Sequence, residues 1–528
     1  MTQPPRQGSY DEVLYPGYPY AQTHPDRLAT LGTLFGMNPA PVDRCRVLEI
    51  GCGNGANLIP MAHGLPGSEF VGFDLAARPI EKGREMIAAL GLTNITLSRM
   101  DIMAATADLG SFDYIIAHGI YSWVAPEIRD KIMAICAAHL TPRGIAYISY
   151  NAYPGGHLRD MGREMMLFHT RGITEPDQKV RQACALLHFI TESRPERNAY
   201  RGLLHDMLEG ITARVSSHGP APFYHDALEE FNEPMYFWRF MEHAERHGLQ
   251  FLAEANFSSM KDDIFSPEVN ELLRGFSGDI VAKEQYLDFL NGRQFRQTLL
   301  CRADVPLDRS EGVLERVPQL RAASSAKPEP AEVTSDLLSA EEFRGPRRET
   351  VKTSHPLAKA ALLHLGELWP QSVSFEELLA AARARVGSRG NEEESSASTL
   401  AKILWGGYCT GLVELHAQVP RLAVKVSERP EASSVARLQS QSQPTVTNLC
   451  HQRVLIDGVI AQRLLVLLDG TRDRDALLEE LRPLVKSGEA TLLKEGKPVT
   501  DVTEALKILA DELDPHLERL ARLALLAA

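Results

Sequence analysis

Glu49-Ile50-Gly51-Cys52-Gly53-Asn54-Gly55 sets a carboxylate just ahead of three glycines at alternate positions. Glycine removes the Cβ where a chain must turn sharply or let a ligand approach its backbone. The spacing is neither the G-x-G-x-x-G of dinucleotide turns nor the G-x-x-x-x-G-K-[ST] of phosphate loops, and no lysine follows to hold a phosphate. A carboxylate here repels a polyphosphate and suits a cationic or zwitterionic ligand. The rival reading is a tight strand–helix turn that holds nothing. A second set, His118, Tyr121, Trp123, Asn151, Tyr153 and His157, is aromatic and polar. Such groups can exclude water, hold an amine by cation–π contact and accept its protons. Tyr121 and Trp123 suit core packing equally well.

The elements that must position these groups alternate strand and helix, which predicts a mostly parallel sheet. Val47, Leu48 and Ile50 form a buried strand that runs into the glycines, and Ala56-Asn57-Leu58-Ile59 opens a helix whose free N–H groups face the turn. A second strand, Glu69–Phe73, ends at Asp74, followed by Leu75. A carboxylate at that place can accept both hydroxyls of a ribose; the alternative is the N-cap of a helix over Ile80–Leu90. A third strand, Ile95–Ser98, leads to Met100, Asp101 and Ile102. A fourth, Phe112–Ala117, ends at His118, and a fifth, Ile145–Tyr150, ends at Asn151. Ligands of open α/β sheets sit beyond such carboxyl ends.

Residues 1–28 carry Tyr10, Tyr15, Tyr18 and Tyr20 among Pro16, Gly17 and Pro19, which do not suit a long helix. An extended aromatic segment is expected. It is either a strap that staples the terminus down or a cover over the pocket, with Tyr18, Tyr20, Gln22, Thr23 and His24 as its contacts. A helix over Pro25–Phe35 follows.

Glu49 and its three glycines resemble motif I of the class I S-adenosylmethionine-dependent methyltransferases. That resemblance implies a Rossmann-like sheet and S-adenosylmethionine as cofactor, held by Glu49, Gly51, Gly53, Gly55, Asp74, Leu75, Asp101, Ile102 and His118. Asp101 would take the adenine amino group, with Met100 or Ile102 on the ring. The N/D-P-P-Y/F motif of some members is absent; His118-Gly119-Ile120-Tyr121 stands there, which disfavours nucleobase and glutamine-amide substrates. Tyr15–Leu28, His118–Val124, Ser149–His157 and Tyr286–Arg296 are similar to segments of bacterial methyltransferases that carry a methyltransferase regulatory domain, a group that includes the rickettsial protein-lysine methyltransferases. From their residue types, catalytic roles are expected among His118, Tyr121, Trp123, Asn151 and Tyr153, with His157 joining the pocket cover.

The first 157 residues are therefore expected to form the cofactor-binding core. Residues 158–302 would be a helical insertion and regulatory region that completes the sheet through strands at 249–255 and 296–302. Its helices are expected at Leu158–Thr170, Asp177–Ser193 and Arg201–Val215, with a linker over Ser216–Pro222. The Ala-, Ser- and Pro-containing stretch within 303–350 reads as a flexible linker. Residues 351–528 read as one winged-helix-like α+β domain, ending in an amphipathic pattern over 502–526 that Pro515 would split. Arg383, Arg385 and Arg389 are offset by Glu376, Glu377 and Glu392-Glu393-Glu394, so protein docking is favoured over DNA.

Bulk properties agree. The 528 residues carry a net charge of −13, which gives no field for nucleic acid. The seven cysteines (45, 52, 136, 184, 301, 409 and 450) form no C-x-x-C, so no metal site or disulfide framework is expected. No signal peptide or membrane-length apolar run is read, and a cytoplasmic setting is expected. The expected activity is methyl transfer to nitrogen, on lysine of a protein or peptide. Alternatives are a small-molecule N- or O-methyltransferase, a cofactor-sensing protein without turnover, and a DNA-bound regulator.

Overall fold

The computed structural model describes residues 17–193, 198–218, 220–229, 231–261, 264–276, 278–310, 312–329, 339–346, 348–387, 393–494, 497–499 and 501–527. Tyr10, Tyr15 and Pro16 of the aromatic segment and Glu392 of the acidic run lie outside these residues.

A seven-stranded sheet organises the first 302 residues. Its strands are β1 (Arg46–Ile50), β2 (Glu69–Asp74), β3 (Ile95–Arg99), β4 (Phe112–Ala117), β5 (Leu140–Asn151), β6 (Leu249–Glu254) and β7 (Phe295–Arg302). The order is β3-β2-β1-β4-β5-β7-β6. β1 to β5 are parallel, and β7 runs antiparallel between β5 and β6. Chain order reverses between β1 and β4, and that crevice is where open α/β sheets bind ligands.

Alternate residues of the central strands feed opposite faces. Val47, Tyr114, Ile116 and Tyr147 join one core with Leu28 and Leu31 of helix α1 (Pro25–Leu34) and with Leu58, Ile59 and Met61 of α2 (Leu58–Gly64). Leu48, Ile115 and Ile148 join the other. That second core is closed by α4 (Pro126–His139) and α9 (Phe237–Arg246); α3 (Ala77–Leu90) lies between β2 and β3 in the chain. Phe237, Phe240, Met241 and Ala244 are the buried stripe of α9, at the spacing of one helix face.

β7 is locked to its surroundings by charge. Arg296, fully buried, donates to Glu254 of β6 at 2.7 Å and to Glu284 and Asp288 of α11 (Ile280–Asn291) at 3.0 and 2.8 Å. Its guanidinium also lies 3.8 Å over the Phe237 ring. A charge removed from water is tolerated only when paired this completely.

Between β5 and β6 sit α5 (Gly156–His169), α6 (Pro176–Glu192), α7 (Ala199–His218) and α8 (Pro220–Leu228), which share a small core of their own; α10 (Pro267–Gly275) precedes α11. The linker expected over Ser216–Pro222 is instead the end of α7 and the start of α8. Pro220 and Pro222 fall in the first turn of α8, where no intrahelical donor is needed.

The stretch read as a linker within 303–350 is also corrected. Arg321–Ala323 is a strand paired with Val373–Ser374 and Glu414–His416. Ala322, Ala323, Ser324 and Ala326 are all buried. Small side chains look flexible in a sequence, yet they are the ones that let backbones pack closely.

The C-terminal part is likewise two cores rather than one domain. Val313, Val317 and Phe343 pack with the helices at Pro356–Leu368, Phe375–Val386 and Glu393–Thr410. Residues 432–526 enclose a separate core. Within it Val502–Arg522 is one helix with Pro515 inside. Leu509 and Leu513 on one side of the proline and Leu517 and Leu520 on the other are buried in that core, so packing holds both halves on one axis. No helix among the described residues is long and apolar enough to cross a membrane.

Candidate active site

Glu49, at the carboxyl end of β1, is buried, and Asn57 Nδ2 donates to its Oε1 at 2.8 Å. Its Oε2 has no hydrogen-bond partner. Burial pushes its carboxyl up to about 8, against the pull of the Asn57 bond, and the nearby Asp74 adds to the rise. A buried carboxylate oxygen without a partner is a place for a ligand cation.

The three glycines have different duties. All have positive φ, 72° at Gly51, 53° at Gly53 and 70° at Gly55. A Cβ on Gly51 would meet Ile120 Cδ1 at 2.8 Å, and one on Gly55 would meet Leu97 Cδ1 at 2.8 Å, whereas one on Gly53 would enter open space. Gly51 and Gly55 therefore serve the packing of the turn, and only Gly53 borders room for a ligand. Asp74 is tied to this turn: its Oδ2 accepts from the Gly53 N–H and its Oδ1 from the Ala76 N–H, both at 2.9 Å. Ala76, not Asp74, is the N-cap residue of α3. Leu75 is exposed, Ile102 is half-buried, and the exposed Asp101 accepts from the Met103 N–H at 2.9 Å.

The N-terminal segment closes over the same crevice. The ring of Tyr20 lies 3.8 Å from that of His118, at 38° between planes. His118 Nδ1 meets the buried Tyr147 hydroxyl at 2.9 Å, and Gln22 is hydrogen-bonded to Tyr147 as well. Burial lowers His118 to about 3, so its ring is neutral near pH 7. The Tyr20 N–H donates to Asn57 Oδ1 at 2.9 Å, and Asn57 Nδ2 donates to Thr23 Oγ1 at 3.0 Å. His24 belongs elsewhere. Its Nδ1 accepts from the Asp26 N–H, capping α1, and its ring faces His451 at 5.3 Å. Tyr18 lies beneath the Arg453 guanidinium, 4.3 Å from the ring centre.

The second predicted set splits. Tyr121, fully buried, gives its hydroxyl to His243 Nδ1 at 2.6 Å and packs its ring edge-on to Phe240. Burial raises its phenol. It is a core residue behind the sheet, which corrects the expected catalytic role: the turn after β4 sends His118 and Tyr121 to different surroundings. Asn151 is buried with its whole amide engaged, donating to Asn232 at 2.7 Å and accepting from Arg159 at 3.1 Å. The Tyr153 hydroxyl donates to Asp160 at 2.9 Å, and its ring stacks on the exposed His157 at 3.8 Å. Trp123, half-buried, lies under Arg159. Asn151, Tyr153, His157 and Trp123 thus gather at the mouth of α5. Their link to His118 is Phe295, which pairs with Asn151 across β5 and β7 and sets its ring edge-on to His118 at 6.3 Å. Sequence reasoning missed Asn57, Tyr147, Phe295 and His451. Asn57 had one signal, a polar residue opening the helix behind the turn.

Residues 47–144 match a family described as a methyltransferase domain, residues 221–302 a predicted methyltransferase regulatory domain, and residues 428–525 the C-terminal winged helix domain of PKMT. An uncharacterized protein of Rickettsia prowazekii, RP789, is 34% identical over 98% of this chain and 93% of its own. The structure of PKMT2 from Rickettsia typhi covers 97% of this chain and 100% of its own at 28% identity, with a TM-score of 0.86; the same protein in complex with AdoHcy gives 0.87. The chain belongs to the class I S-adenosylmethionine-dependent methyltransferases with a methyltransferase regulatory domain. The named winged helix lies within 428–525, the second of the two C-terminal cores. This methyltransferase binds S-adenosylmethionine, and the crevice fits it. Glu49 Oε2 is a buried oxygen without a partner, which suits a molecule that carries a sulfonium and an amino group, and the space beside Gly53 is open.

Proposed function

We propose that this methyltransferase modifies the side-chain nitrogen of lysine in a protein or peptide, in the cytoplasm. The observation that carries the reading is the likeness to PKMT2 along nearly the whole chain, beyond the cofactor-binding core. In this reading Glu49 faces the cationic end of the cofactor and Gly53 its path along the backbone, with Gly51 and Gly55 shaping the turn. Asp74, with Leu75, takes the ribose, and Asp101 and Ile102 take the adenine.

Bound S-adenosylmethionine supplies a methyl group made electrophilic by its sulfonium. The chain's part is alignment and dryness. Tyr20 and Phe295 flank the neutral His118 with aromatic surface that can enclose an amine. The amine must attack as the free base. In the tautomer whose Nδ1 donates its proton to the Tyr147 hydroxyl, His118 Nε2 is the acceptor nitrogen and can take a hydrogen bond from the amine and hold its lone pair in line.

The test is incubation of the enzyme with methyl-labelled S-adenosylmethionine and a cell lysate split by ultrafiltration. Label on lysine in the retained protein is expected. Label confined to the filtrate would assign a small-molecule acceptor instead, and cofactor binding without label in either fraction would favour a sensing role.

A further inference from the structure

We infer that the winged-helix module completes the cofactor site, with His451 as a positioning residue for Glu49. The contact runs between residues 394 positions apart: His451 Nε2 lies 2.9 Å from Asn57 Oδ1. The orientation of that amide follows from its neighbours. A backbone N–H can only donate, so the Tyr20 N–H fixes the Asn57 atom it meets as the oxygen. Nδ2 must then face Glu49 Oε1, and His451 must carry its proton on Nε2 and donate it. With Thr23 also on the amide, Asn57 is held from three sides. Each of those bonds fixes which Glu49 oxygen is spent on the protein and which is left for the ligand.

The hairpin that presents His451 is built for this. Thr445–Thr447 pairs with Arg453–Leu455, and Asn448 organises the tip between them. Asn448 Oδ1 accepts from the N–H groups of Cys450 and Gln452, and its Nδ2 donates to the Leu523 carbonyl. His451 sits at φ 57°, in the left-handed region that a residue with a side chain rarely adopts, and it is buried. Strained backbone persists where the surroundings over-determine it, and here the strained residue is the one that crosses to the cofactor site. The next residue but one, Arg453, covers Tyr18 of the N-terminal segment, so one hairpin tip braces both Asn57 and the cover.

The inference rests on the S-adenosylmethionine site and not on the nature of the methyl acceptor. It is tested on the full chain with His451→Ala and His451→Gln. Both replacements bear the same left-handed backbone strain, but glutamine keeps an N–H donor near the position of Nε2. Calorimetry should show S-adenosylmethionine bound about tenfold more weakly by His451→Ala, the scale of one hydrogen bond lost, with most of the affinity restored in His451→Gln. The KM for the cofactor should rise with kcat little changed. Adenosine, which lacks the cationic end, should bind wild type and both variants alike. Equal weakening toward adenosine, or failure of glutamine to restore binding, would make His451 a structural residue only. Unchanged affinity in His451→Ala would also overturn the inference.

Discussion

Glu49 carries the sharpest pH consequence. With its carboxyl raised to about 8, the ligand-free enzyme holds a proton there at neutral pH. A cationic ligand favours the ionised form, so binding must expel that proton below pH 8 and need not above it. Affinity for S-adenosylmethionine should therefore climb as pH rises from about 6 toward 8, and Glu49→Gln should lose that climb. Calorimetry in buffers of different ionisation enthalpy counts the released proton directly. Folding runs the other way: a carboxyl raised in the folded state withdraws stability as pH rises from its ordinary 4.5 to about 8. Asp74 gives a second expectation. Asp74→Ala should weaken cofactor binding by about tenfold to a hundredfold, the range for hydrogen bonds to a charged group; unchanged affinity would remove Asp74 from the site. His118 and Tyr121 form a contrasting pair. Tyr121→Phe should leave kcat near wild type and reduce stability by about 1 kcal/mol, the value of one hydrogen bond, whereas His118→Ala should lower kcat with the fold intact. Thermal melts beside initial rates separate the two. The glycine turn, and the strand end at Asp74 that ties to it, were legible as local structure because a sharp turn needs glycine and Asp74 closes it through the Gly53 N–H. Tyr121 was not, since four residues after a strand the side chain can face the ligand or the core, and spacing does not say which.

At the scale of elements, β1 to β5 were legible because buried parallel strands read as continuous apolar runs. The strands after the insertion, β6 and β7, were legible as apolar segments too. What their sequences did not display is how β7 is held. The segment Tyr286–Arg296 ends in the buried Arg296, which is held by Asp288 of the same segment and by Glu254 and Glu284 outside it. Burial raises Glu284 to about 7 even with Arg296 beside it, which shows how little charge the site can leave unpaired. Arg296→Met should therefore destabilise the fold by about 3–5 kcal/mol, because Glu254, Glu284 and Asp288 would be left buried together. A fall in the urea midpoint with an unchanged slope would bear this out, and a midpoint equal to wild type would contradict it. The linker expected within 303–350 failed for a compositional reason: alanine and serine are as much at home under a close-packed helix as in a mobile tether.

Across the whole molecule, the N-terminal segment is the common ground. Tyr20, Gln22 and Thr23 reach the cofactor crevice, while the residues that follow are gripped by the C-terminal half. Asp26 accepts from His416 Nδ1 at 2.7 Å and from the Ala417 and Gln418 N–H groups, and Arg27 pairs with Glu414 at 2.5 Å. Burial alone would lower His416, but Asp26 leads the groups that raise it above its ordinary value. These contacts, and that of His451 with Asn57, join residues nearly four hundred positions apart, and no local pattern announces them. They tie the C-terminal half to the segment that covers the crevice, and of them only the His451–Asn57 contact comes from the winged-helix module. The most direct measurement is a crystal structure of the enzyme with AdoHcy. The result expected is Glu49 Oε2 within hydrogen-bonding distance of the ligand's amino group, Asp74 on the ribose hydroxyls, and His451 still on Asn57. A ligand seated away from Gly53, with Glu49 Oε2 left without a partner, would contradict the account.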